Sequence, residues 1–171
     1  MKVYDKAPQE VHDRCAQLIE SYYPDLAKAE LTLDILFAVN ENGDAVSHGG
    51  YPALAMVRIV NLKDRVKGLA DAEITIDQKA YEDMTDEQKD ALLDHELHHL
   101  IVLKDDDGFI KTDDVGRPKL KIKKHDYQMG WFREVAVRHG RNSPEVYQAR
   151  ILWERDGQAF FPMLLGNQDA A

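Results

Sequence analysis

The segment from Thr85 to Val102 constrains this chain most, because it sets a run of ionisable side chains on a helix otherwise built for burial. Thr85-Asp86-Glu87-Gln88 is a helix start: the threonine hydroxyl can accept from the amide three residues on, and the glutamine can reach back. The pattern predicts a helix from Asp86 to about Val102, with Ala91, Leu92, Leu100 and Ile101 supplying apolar surface. Leu92, Leu93, Leu97 and Leu100 surround His95-Glu96-Leu97-His98-His99. Imidazoles and a carboxylate are costly to bury alone, so the fold has to bring a partner to this face, and a metal ion is one.

Residues four apart on a helix lie within about 40° of one another. His95 and His99 therefore aim two imidazoles at one point, with Glu96 beside it and free of the duty of binding. This is the H-E-x-x-H arrangement of zinc peptidases, in which the metal activates water and the glutamate moves the proton. His98 offers an alternative pair with His95, but only His95 with His99 leaves Glu96 in the position of the base.

A catalytic zinc takes three protein ligands and keeps one open position. The third ligand has to come from elsewhere. His125 is the first choice, since a hairpin before it could return the chain to the metal; Asp126 and Glu134 are its rivals. Asp126 could instead orient a ligand histidine. Tyr127 reads as a core-edge residue, with an oxyanion donor as the sharper alternative. Asp94 is expected to bond nearby backbone or a histidine, and His139 to favour a helix C-terminus. His12 reads as a helix-surface residue, His48 as part of a plain loop, and Asp105-Asp106-Asp107-Gly108 as an acidic turn outside any EF-hand register.

Around this helix the chain reads as α+β: a small sheet packed on helices. Apolar spacing predicts a helix over Pro8 to Tyr23, ending before Pro24. Strands are expected at Leu31 to Val39, Ala53 to Val60 and Ala72 to Asp77, with a short turn or helix from Leu62 to Lys67. Phe109 to Lys111 and Leu120 to Ile122 flank Gly116-Arg117-Pro118 and suggest a hairpin. Helices follow at Asp126 to His139, closed by Gly140, and from Ser143-Pro144. With 171 residues, one domain over residues 1–171 is expected, 157–171 forming its tail.

Composition narrows the function classes. A net charge of −9 and a pI near 5.2 repel nucleic-acid phosphates. The one basic stretch, Lys119-Leu120-Lys121-Ile122-Lys123-Lys124, reads as an amphipathic strand with a solvated lysine face, and secondarily as a local anion contact. Cys15 stands alone, which excludes an intramolecular disulfide and a cysteine-built zinc site. No apolar run approaches the roughly 18–20 residues of a membrane span, and no secretory h-region is seen. A cytoplasmic protein is expected.

Ala91 to Leu100 (Ala-Leu-Leu-Asp-His-Glu-Leu-His-His-Leu) resembles the phage metallopeptidase family of the zincin group. So do Asp71 to Asp77 ahead of it and His125-Asp126-Tyr127 with Phe132 after it. Gly49 to Ala53 and Leu62 to Gly68 fit the same family, so that the resemblance covers roughly Leu31 to Gly140. It implies a minimal zincin-like fold, a zinc ion, His95 and His99 as ligands, Glu96 as base and His125 as third ligand. The leading function is then a zinc metallopeptidase acting on a protein or peptide. The alternative is a non-catalytic zinc-stabilised binding protein, such as a host-takeover or anti-defence factor.

Overall fold

The computed structural model describes residues 1–125, 133–144, 146, 149 and 150. The chain divides into two compact units, residues 1–125 and 126–171. The proposed tail over 157–171 lies outside the described residues.

Unit 1 is α+β. Strands β1 (Lys2–Lys6), β2 (Leu33–Asn40), β5 (Ala55–Ile59) and β6 (Ala72–Asp77) form one sheet in the order β1-β2-β6-β5. The central pair β2–β6 is parallel, with Ile35 beside Ile74 and Phe37 beside Ile76; both edge pairs are antiparallel. Side chains alternate across a strand, so Ile35, Phe37, Ile74 and Ile76 share one face. Helices α1 (Gln9–Tyr22) and α5 (Asp86–His98) cover that face, contributing Val11, Cys15, Leu93 and Leu97 to a single core. Ile74, Ile76, Leu93 and Leu97 are completely buried. The other face is partly covered by the 41–54 segment, through Ala45, Val46 and Ala53 against Ala38 and Met56. Within that segment β3 (Ser47–His48) and β4 (Tyr51–Pro52) make a small hairpin, where the expectation was a plain loop. Its turn residues Gly49 and Gly50 have φ of 58° and 85°, the two successive positive angles that tight hairpin turns require.

Three short helices link these parts. Helix α2 (Pro24–Lys28) starts directly at the proline that ends α1, and α3 (Leu62–Val66) joins β5 to β6. Helix α4 (Gln78–Glu82) is capped by Asp77, whose side chain accepts from the Ala80 N–H. Neither α4 nor β1 was expected. All five residues of β1 are exposed, so no apolar alternation marked it; it exists through its pairing with β2. Helix α5 begins as the sequence predicted, with the Thr85 hydroxyl accepting from Gln88 N–H and Thr85 N–H donating to the Gln88 side chain.

The far end of α5 departs from the prediction. The helix stops at His98, and Leu100–Val102 becomes strand β7, paired antiparallel with β8 (Leu120–Ile122). Leu100 and Val102 are buried while Ile101 is 38 % exposed, an alternation that suits a strand. The expected hairpin partner of Leu120–Ile122 is corrected with it. Phe109–Lys111 instead turns back locally, through a Lys104↔Ile110 bridge across the Asp105–Gly108 turn. A second bridge, Thr112↔Pro118, closes the Asp113–Gly116 turn. Two tight turns thus fold up the intervening chain, and β7–β8 is their common stem.

Arg65 anchors that stem. It is 7 % exposed and donates to the carbonyls of Val60, Pro118 and Asp71 and to the Asp113 carboxylate. Asp71, 1 % exposed, accepts from the Thr32 amide and hydroxyl. Arg117 Nε stands 2.9 Å from Asp71 Oδ1, an ion pair without hydrogen-bond alignment.

In unit 2, α6 (Arg133–His139) is the described part of the predicted third helix; residues 126–132 lie outside the described set. Gly140 follows with a φ of 51°, as its predicted closing role requires. The Ser143 hydroxyl accepts from Val146 N–H, the predicted N-cap. Among the described residues no helix is long and apolar enough to cross a membrane.

Leu93 joins α5 to the sheet at zero exposure. Leu93→Ala should lower stability by about 2–5 kcal/mol, read as a lower urea midpoint with an unchanged slope.

Candidate metal centre

Helix α5 ends where the site begins. His95 lies in its last turn, and His99, its C-cap, keeps helical backbone angles (φ −70°, ψ −19°). The four-residue spacing therefore holds although the helix is shorter than predicted, and the two rings stand 5.0 Å apart, centroid to centroid.

The third imidazole arrives through strand pairing. Leu100 opposite Ile122 sets His99 opposite Lys123, and the chain then needs two more residues to reach His125. Lys123 N–H donates to the His99 carbonyl at 2.7 Å. In return, His99 Nδ1–H donates to the Lys123 carbonyl, also at 2.7 Å. A carbonyl can only accept, so the proton of His99 sits on Nδ1 and the lone pair of Nε2 is left for a ligand. The His125 ring lies 4.6 Å from His99 and 5.1 Å from His95.

The nitrogens of His95, His99 and His125 all fall within 4.8 Å of one another. Two nitrogens on a tetrahedral zinc, each about 2.0–2.1 Å from it, stand about 3.3 Å apart; His95 Nε2 and His125 Nε2 are 3.1 Å apart. The donor set fits a divalent ion, with three imidazole nitrogens converging and His95 and His125 exposed.

Glu96 is 4 % exposed beside this cluster. Burial pushes its carboxyl above the usual range, against the opposing pull of the His99 imidazole and the Val57 backbone N–H. His95 is held below its ordinary value, first by burial and then by the neighbouring imidazoles of His99, His125 and His98. Asp94 opposes this shift. A lowered value keeps the ring neutral, as ligation demands.

His98 turns away from the cluster. The Lys123 ammonium donates to His98 Nε2 at 2.8 Å, and its ring packs edge-on against Tyr23. The alternative pairing of His95 with His98 is thus not assembled. Asp94 was expected to bond nearby backbone or a histidine; its carboxylate instead accepts from the Tyr23 hydroxyl, which ties α5 to the α1–α2 junction. The sequence carried no signal for this contact, nor for the two backbone groups, Lys123 C=O and Val57 N–H, that act on His99 and Glu96.

The remaining candidates lie elsewhere or outside the described residues. His12 is half-buried on α1, His48 exposed in the β3–β4 hairpin, and His139 in the last turn of α6. Asp105 caps its own turn, accepting from Asp107 and Phe109 N–H. Asp126 and Tyr127 are not among the described residues. Glu134 opens α6 in unit 2, exposed.

Titration with a divalent ion should give one ion per chain and a higher melting temperature. His95→Ala, His99→Ala and His125→Ala should each lose both responses, and His98→Ala should keep them. Retention by His125→Ala would move the third ligand to Asp126 or Glu134.

Comparison with known proteins gives one family: a model described as "Putative phage metallopeptidase" matches residues 3–157. No curated protein and no solved structure matches the chain.

Proposed function

The chain belongs to the phage metallopeptidase family, and from that premise we propose that it is a zinc-dependent peptidase of the H-E-x-x-H type. His95, His99 and His125 hold the ion and Glu96 is the general base. The observation that carries this reading is the convergence of three imidazoles beside a buried carboxylate.

When bound, zinc supplies the Lewis acidity that acidifies a water molecule and polarises a carbonyl. Three imidazole nitrogens would favour zinc over a hard, oxygen-seeking cation. The chain supplies orientation and proton transfer. The Lys123 carbonyl fixes the tautomer and the plane of His99, which leaves Nε2 to the group that the cluster would hold. A Glu96 carboxylate oxygen accepts the proton of the attacking water and passes it to the departing amide nitrogen.

The substrate is a protein or peptide, and the place of action the cytoplasm of a bacterial or phage-infected host cell. The one thiol suits that setting and takes no part in the chemistry: Cys15 is buried in the core, where burial pushes it up to about 12.

Glu96→Gln separates catalysis from binding. With zinc content and melting temperature kept, cleavage of a degenerate fluorogenic peptide library should fall at least about 100-fold. A zinc-loaded wild type that cleaves nothing in the library, or a Glu96→Gln variant as active as wild type, would overturn the peptidase reading. The first result would leave a zinc-stabilised binding protein.

A further inference from the structure

Strand β8 does more than deliver His125. Because side chains alternate along the β7–β8 pair, Leu100, Val102, Leu120 and Ile122 occupy one face, while Ile101, Lys121 and the flanking Lys119 occupy the other. Lys119 pairs back to Leu103, and Lys111 is bonded to both: Lys111 N–H donates to the Leu103 carbonyl, and Lys119 N–H to the Lys111 carbonyl, each at 2.8 Å. Lys124 precedes His125 directly. Lys111, Lys119, Lys121 and Lys124 are exposed, and no carboxylate pairs with any of them among the described residues, whereas Lys67 and Lys104 are matched with Asp64 and Asp25. Lys119 and Lys121 thus form a short basic row on the solvent face of the strand that leads to His125, while Lys124, at the other parity, falls outside it.

We propose that this row is a docking track for an acidic segment of the polypeptide on which the metal centre acts. This proposal rests on the peptidase reading. Lys119 and Lys121 stand two residues apart, about 6.6 Å, which matches alternate side chains of an extended peptide. The occupant is short. Beyond the row the hairpin turns are acidic, with Asp105 to Asp107 in one and Asp113 and Asp114 in the other, and the chain as a whole carries −9. A long polyanion such as nucleic acid would run into that field, whereas a few glutamates or aspartates beside the scissile bond meet only the lysines.

The test is fluorescence anisotropy on the zinc-loaded full chain in a Glu96→Gln background, which reads binding without turnover. The probes are a labelled peptide alternating Glu with Ala, the same peptide with Gln for Glu, and an oligothymidylate of equal charge. The Glu peptide should bind in a salt-sensitive way, at least tenfold more tightly than the Gln peptide. The triple variant Lys111→Glu, Lys119→Glu, Lys121→Glu should abolish that difference with zinc content and melting temperature unchanged; Lys121→Gln should give a smaller loss in the same direction. Equal binding of the two peptides, or indifference to both variants, overturns the track. Tighter binding of oligothymidylate also overturns it and assigns the row to nucleic acid. Charge-dependent peptide binding in a protein whose wild type cleaves nothing would keep the track and remove only the peptidase chemistry, so the two readings fail separately.

Discussion

Two hydrogen bonds between His99 and Lys123 hold the candidate site together. One is a main-chain bond of the strand pair, and the other runs from the His99 ring to the Lys123 carbonyl. The first ends helix α5 and begins β7–β8; the second sets which nitrogen of His99 faces the cluster. Fold and site thus share one contact. Breaking the strand pair would free His99 to rotate and carry His125 away in the same event.

The stem is held from its other end as well. Arg65 reaches Val60 and Asp71 on the sheet side and Pro118 and Asp113 on the hairpin side, so the turn before β8 is bolted to the sheet that carries β6. Asp71 is buried and faces two guanidinium groups. A buried ion cluster adds little net stability over apolar packing, but losing one member leaves an uncompensated charge. Its effect is therefore on placement: it fixes where the hairpin lies, and thereby where His125 emerges. On the helix side, Leu93 and Leu97 seat α5 against the sheet while the same helix holds Glu96 in partial contact with β5 through the Val57 N–H.

Local chemistry was legible in the sequence, and long-range pairing was not. The Thr85–Gln88 cap, the amphipathic α1 and the strands β2, β5 and β6 each carry their own periodicity, and each forms where that periodicity put it. So does the i, i+4 placement of His95 and His99, which depends on helix geometry alone. Leu100-Ile101-Val102 continues an apolar run that a helix could use. Only a partner twenty residues away makes it a strand, and a single chain does not announce that partner. Strand β1 is the same case in reverse: its exposed residues carry no alternation of apolar and polar, and its pairing with β2 gives it structure. His125 was reachable by asking what a third ligand needs, but the reason it arrives, the β7–β8 register, lay in the mispaired hairpin.

That register also explains how the three rings come together. The third imidazole is separated from His99 by a long excursion, and closing it costs chain entropy that grows only slowly with length. The two tight turns and the strand pair meet that cost with protein contacts, which bring the three imidazoles together. His95 and His125 pay for this with mutual proximity, two imidazole nitrogens at 3.1 Å of which at most one can donate to the other. Burial and the neighbouring rings push His95 toward the neutral form. A bound ion would relieve that crowding by taking both lone pairs at once. The fold supplies geometry and leaves an electrostatic demand that a divalent cation would satisfy, beside the buried Glu96 carboxylate.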